Sequence, residues 1–142
     1  MARPRPLAAT IFVPLHGILA AFPLAFFVAA FFSDWAYADS ANMQWANFSV
    51  WLIAGGVFMA IVAAIAGIVD TMLVGDTARR RSSLHSILTI LVLIVAMING
   101  FIHSRDAWTS VVPTGIILSA ITAVLVLVTG WLGYSARREV AA

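Results

Sequence analysis

Four long apolar stretches, separated by short polar segments, make up most of this chain. They cover about residues 7–32, 48–74, 83–103 and 111–134. An α-helix needs roughly 20 apolar residues to cross the hydrocarbon core of a bilayer, and each stretch meets that length. The pattern predicts an all-α integral membrane protein in which residues 1–142 form one domain, a bundle of four transmembrane helices.

The third stretch is apolar on most of its surface but carries one polar face. Residues that lie three or four positions apart share one face of an α-helix. The members of this face are His85, Thr89, Val92, Ala96, Asn99 and His103. Imidazole, amide and hydroxyl groups are costly to expose to lipid, so we expect the face to point into the bundle.

The composition supports a membrane protein and excludes several kinds of site. The chain is 63% hydrophobic and 10% charged, with a mean hydropathy of +1.03. It has no cysteine, which excludes disulfides, thiolate metal sites and covalently attached haem. Its basic character comes from arginines outside the apolar stretches, so it indicates membrane topology and not nucleic-acid binding.

The arginines predict the orientation of the helices in the membrane. Arginine occurs twice before the first stretch, three times between the second and third (Arg79–Arg81) and twice after the fourth. The segment between the first two stretches has none. Because arginine accumulates on the cytoplasmic side, we expect both termini to be cytoplasmic. The first stretch exceeds the ~7–15 residues of a signal-peptide core, so we expect it to remain as a helix.

This topology brings five polar or aromatic residues into the cytoplasmic half of the bundle. They are His16, Asp70, His85, Thr129 and Trp131. At the other side we expect residues 33–47 to form a loop, and His103 to lie at the membrane interface.

His16 and His85 suggest a b-type haem. Haem with six ligands needs two axial donors, and imidazoles on two helices of a bundle are a common source. Thr129 is a candidate partner for the haem propionates, and Asp70 for a proton relay or for fixing a histidine tautomer. Each residue also has a simpler interpretation: Asp70 as an ion-pair partner, Trp131 as an interfacial aromatic, and the histidines as hydrogen-bonded interface or structural residues.

Four short motifs extend over most of the chain. They are His16–Pro23 (HGILAAFP), Gly67–Asp70 (GIVD), Leu84-His85 and Thr129–Gly133 (TGWLG). In this order they resemble a family of small bacterial predicted membrane proteins, a four-span domain of unknown function whose first span reads His-Pro-x-x-x-His-Phe-Pro.

The resemblance implies a protein of the bacterial inner membrane that transfers electrons, because such domains also occur fused to redox modules. Quinone or a partner dehydrogenase is then the implied redox partner. The sequence departs from the family at Gly17 and at Ala21, where the family tends to have proline and a second histidine. Either His16 and His85 are the only ligand pair, or this member holds no haem.

Three functions follow as hypotheses. The first is electron transfer through haem b, in which the chain acts, if in any enzyme, as a subunit of an oxidoreductase. The second is a cofactor-free membrane scaffold or accessory subunit. The third is a proton or small-solute conduit that uses Asp70 and the face from His85 to His103. No hydrolase or nucleotide-binding motif is present in the sequence.

Overall fold

A computed structural model describes residues 7–74 and 83–141, with side chains described for 15–69, 72, 84–106 and 108–135. The helices are α1 (Leu7–Ser40), α2 (Met43–Val74), α3 (Ser83–His103) and α4 (Thr114–Ala141), with a short 3₁₀ turn at Ala107–Ser110 before α4. Each helix contains a segment that is long and apolar enough to cross a membrane. The predicted all-α fold with four membrane-spanning helices is confirmed.

The predicted loop over residues 33–47 is wrong. α1 continues to Ser40 and α2 begins at Met43, so only two residues connect them. The chain reverses at Ala41, whose φ is +52°, and the side chain of Asn42 accepts a hydrogen bond of 3.0 Å from the amide of Gln44. An asparagine in this position caps the new helix. Polar residues in this stretch therefore lie on helices instead of in a loop.

The helices pack as two antiparallel pairs. In the first pair, the ring of Phe27 on α1 lies against the bare backbone of Gly56 on α2, where an added Cβ would come within 2.5 Å of it. In the second pair, Asn99 of α3 hydrogen-bonds Ser119 of α4. Close contact at small residues is the usual way in which helices associate in membranes, where lipid is as apolar as the side chains.

A central apolar layer lies midway along the bundle. It consists of Phe27, Val92, Ala96 and Val126, all of them buried. Polar side chains occur inside the bundle on both sides of this layer, around His85 at one end of α3 and around His103 at the other. These two histidines are five helical turns apart, about 27 Å. The bundle thus contains two separate polar regions.

Candidate functional site

The first polar region is a cavity between the four helices, which we call the His16–His85 cavity. Its volume is about 80 Å³. Each helix contributes to its walls, which are formed by His16, Ala20, Pro23, Leu24, Ala60, Ala63, Ala64, His85, Thr89, Val92, Val126, Thr129 and Gly130. The structure therefore brings His16 and His85 to one cavity, although they lie on different helices.

Each of the two histidines is held by a backbone carbonyl of a neighbouring helix. Nδ1 of His16 lies 2.8 Å from the carbonyl oxygen of Ala63 on α2. Nδ1 of His85 lies 3.1 Å from the carbonyl oxygen of Thr129 on α4. A carbonyl oxygen only accepts hydrogen bonds, so Nδ1 carries the hydrogen in both rings. In the neutral imidazole the lone pair is then on Nε2, the atom that binds a metal.

The donor set of this cavity fits a haem with two histidine ligands. Histidines that bind metals almost always donate their second ring N–H to a carbonyl or a carboxylate, as these two do. Five of the thirteen wall residues are alanine or glycine, which leave room near the helix axes. The present volume holds only about two or three water molecules, so the helices must separate to admit a tetrapyrrole.

The remaining predicted site residues are placed differently. Thr129 lines the cavity, but its hydroxyl donates a hydrogen bond of 2.7 Å to the carbonyl of Leu125, one turn earlier in its own helix. Trp131 is 75% exposed on the outer surface of α4 and is not part of the cavity wall. Asp70 lies within α2, and its side chain is outside the described part of the chain.

The second polar region is a buried cluster centred on a carboxylate, which we call the Asp34 cluster. Its members are Asp34 of α1, Ser49 of α2, Asn99 and His103 of α3, and Ser119 of α4; each is at most 4% exposed. The hydroxyl of Ser49 donates to Oδ1 of Asp34, and the hydroxyl of Ser119 donates to Oδ2 at 2.5 Å. The side-chain amide of Asn99 donates to Ser119 at 2.8 Å. One connected network therefore joins all four helices.

His103 completes the Asp34 cluster as a hydrogen-bond partner of the carboxylate. Its Nε2 is 2.9 Å from Oδ1 of Asp34, and both side chains are fully buried. Its Nδ1 is 3.0 Å from the carbonyl oxygen of Asn99 and so carries a hydrogen. One further proton lies between Nε2 and the carboxylate, so the pair is neutral overall. Both oxygens of the carboxylate thus have hydrogen-bond partners inside the bundle.

His103, which we expected at the membrane interface, has its side chain buried inside the bundle beside Asp34, a residue that the sequence reasoning missed. Both differences follow from ending the first helix at residue 32. The sequence did contain a sign that the helix continues: Phe27, Ala30, Asp34 and Tyr37 follow one another at helical spacing. In the structure all four are buried. Continuing that spacing through the polar residues would have placed Asp34 on the inner face of α1.

Four apolar helices around a buried polar interior define an all-α membrane protein of the four-helix class. More specifically, the chain belongs to the family described as "Predicted membrane protein (DUF2231)", whose model matches residues 12–141. This confirms the resemblance noted from the sequence. No curated protein and no solved structure matches the chain.

Proposed function

We propose that this protein transfers electrons in the membrane through a b-type haem held by His16 and His85. The observation that carries the proposal is the pairing of both Nδ1–H groups with backbone carbonyls around one cavity. That pairing fixes both imidazoles in the tautomer that ligates a metal through Nε2. Two such imidazoles on different helices are the donor set of a six-coordinate haem.

The roles of the chain's residues in this proposal are simple. When bound, haem supplies one-electron redox chemistry. His16 and His85 hold it, and the carbonyls of Ala63 and Thr129 keep the two rings oriented. The apolar walls exclude water, which favours a stable potential over side reactions. Thr129 and the arginines Arg79–Arg81 are the proposed partners of the propionates, since Arg pairs well with carboxylates. Asp70 is proposed to relay protons or to fix the tautomer of a histidine.

The proposed setting is the bacterial inner membrane, with both termini in the cytoplasm. It is supported by the distribution of arginine along the sequence, which occurs in both tails and between the second and third apolar stretches but not between the first and second. The His16–His85 cavity is then in the cytoplasmic half. Quinone or a partner dehydrogenase is the proposed exchange partner, because a haem without substrate access acts by passing single electrons on.

The alternative function is a cofactor-free scaffold or accessory subunit. The small volume of the His16–His85 cavity favours it, because this space admits a tetrapyrrole only if the helices separate. The third hypothesis is a proton or small-solute conduit that uses Asp70 and the face from His85 to His103. Among the described residues along this face, an apolar layer interrupts the polar groups. Phe27, Val92 and Ala96 are buried between the two polar regions and carry no group that exchanges protons.

The visible absorption spectrum of the purified protein tests the proposal. We expect protein from haem-replete cells to show a Soret band, and sharp α and β bands after reduction with dithionite. If quinone is the partner, addition of a water-soluble quinol should reduce the haem and give the same α and β bands. A colourless preparation would contradict haem binding and leave the scaffold as the better account.

A further inference from the structure

The two histidines of the cavity contact their neighbouring helices in the same way. His16 donates to the carbonyl of Ala63, and the residue four positions later in α2 is Gly67. His85 donates to the carbonyl of Thr129, and the residue four positions later in α4 is Gly133. In an α-helix, that residue lies one turn further along the same face. Each imidazole therefore meets a carbonyl with a glycine directly beyond it.

The contact at Gly133 shows what the missing side chain provides. A Cβ added there would lie 3.0 Å from Cε1 and 3.3 Å from Nδ1 of His85. Such distances are shorter than the ~3.5–4.0 Å at which carbon atoms attract each other best. The ring therefore lies closer to the backbone of α4 than a methyl group on residue 133 would allow.

We propose that Gly133 is a positioning residue for His85. This inference rests on the proposed haem function. The glycine lets the imidazole lie against the helix, so that Nδ1–H reaches the carbonyl one turn earlier and Nε2 is the atom left with the lone pair. A side chain at this position pushes the ring away from the carbonyl, which lengthens the hydrogen bond that fixes the tautomer.

The test uses the haem-loaded wild type and two single substitutions. Gly133→Ala is expected to lower haem retention by about tenfold or more, the usual cost of disturbing a group that orients a metal ligand. Its low-spin ferric electron paramagnetic resonance signal should shift, because the signal depends on the orientation of the axial imidazoles. Gly100→Ala on α3 is the control, since its Cβ would make an ordinary contact of 3.6 Å with Ile53. Equal haem content and an identical signal in Gly133→Ala and wild type would overturn the proposal.

A second measurement separates this inference from the haem proposal and from simple misfolding. In protein purified without haem, ¹⁵N NMR of labelled histidine reports which ring nitrogen carries the hydrogen. We expect His85 to carry it on Nδ1 in the wild type and to become a mixture of tautomers in Gly133→Ala, while the His103 signals stay unchanged. Unchanged His103 signals also report that the variant is folded.

Gly55→Ala on α2 is the matched control in this measurement. Its Cβ would meet Cε2 of Phe26 at 3.1 Å, nearly as close as the contact at Gly133, and neither residue is part of the cavity wall. If the wild type holds no haem, the haem proposal fails, and the tautomer of His85 still decides the role of Gly133. A His85 signal that is the same in all three proteins, or that changes equally in Gly55→Ala and Gly133→Ala, would overturn the positioning role.

Discussion

Replacing Asp34 by asparagine is expected to lower the free energy of unfolding by about 3–5 kcal/mol. Removing one partner of a buried carboxylate–histidine pair leaves the other group without its hydrogen-bond partner, and this is among the costliest of single substitutions. Here the partner is His103, which is 2.9 Å away and fully buried. The two serine hydroxyls that donate to the carboxylate also lose their charged acceptor. The measurement is reversible unfolding in mixed micelles with increasing sodium dodecyl sulfate.

Asp39→Asn is the matched control for this prediction. Asp39 lies on the same helix but is exposed, so its substitution should change the free energy of unfolding by less than about 0.5 kcal/mol. Asp34→Ala, His103→Ala and the double variant complete a double-mutant cycle, which should give a coupling energy of 0.5–3 kcal/mol in magnitude. A coupling near zero, or equal effects of Asp34→Asn and Asp39→Asn, would mean that the Asp34 cluster does not stabilise the bundle.

Substituting either histidine of the cavity by alanine is expected to abolish low-spin haem ligation. Each substitution removes one of two axial donors, and the cavity wall offers no other imidazole among its members. We expect His16→Ala and His85→Ala to retain less than about a tenth of the wild-type haem after purification, or to give a high-spin spectrum. The measurement is the visible spectrum of the oxidised and reduced protein.

His103→Gln is the control for a general effect of removing histidine. Glutamine keeps an amide N–H that can donate to Asp34, and His103 lies beyond the central apolar layer, about 27 Å along α3 from His85. Its haem spectrum should match that of the wild type. If the low-spin spectrum survives in either alanine variant, that histidine is not a ligand, and the proposed pair is wrong.

The sequence predicted the helices and one of the two polar regions. Apolar runs of this length leave few folds other than a helix bundle, because a backbone in lipid must satisfy its own hydrogen bonds. His16 and His85 stood out because they interrupt apolar runs, and depth counted along the helices placed them near each other. Their acceptors did not stand out, since they are backbone carbonyls of Ala63 and Thr129, which no side-chain pattern reveals.

The Asp34 cluster was missed because its polarity resembles that of a loop. Asp34 and Ser49 lie in a stretch of serine, aspartate and asparagine, which normally favours turns. In the structure these side chains satisfy one another inside the bundle, so the helices continue through them. His103 was misplaced for the same reason, because its partner was assigned to solvent. Trp131 was predicted at the site from its depth along α4, but its side chain is exposed on the outer surface of that helix. The face of the helix, and not the depth, decides what a side chain contacts.

The most direct measurement is the haem content of the purified wild-type chain, determined as pyridine haemochromogen against amino-acid analysis. The account predicts one haem b for each polypeptide, bound with low-spin spectra, and almost none in the double variant His16→Ala/His85→Ala. Haem-free wild-type protein from haem-replete cells would contradict it, as would a double variant that still holds one haem per chain.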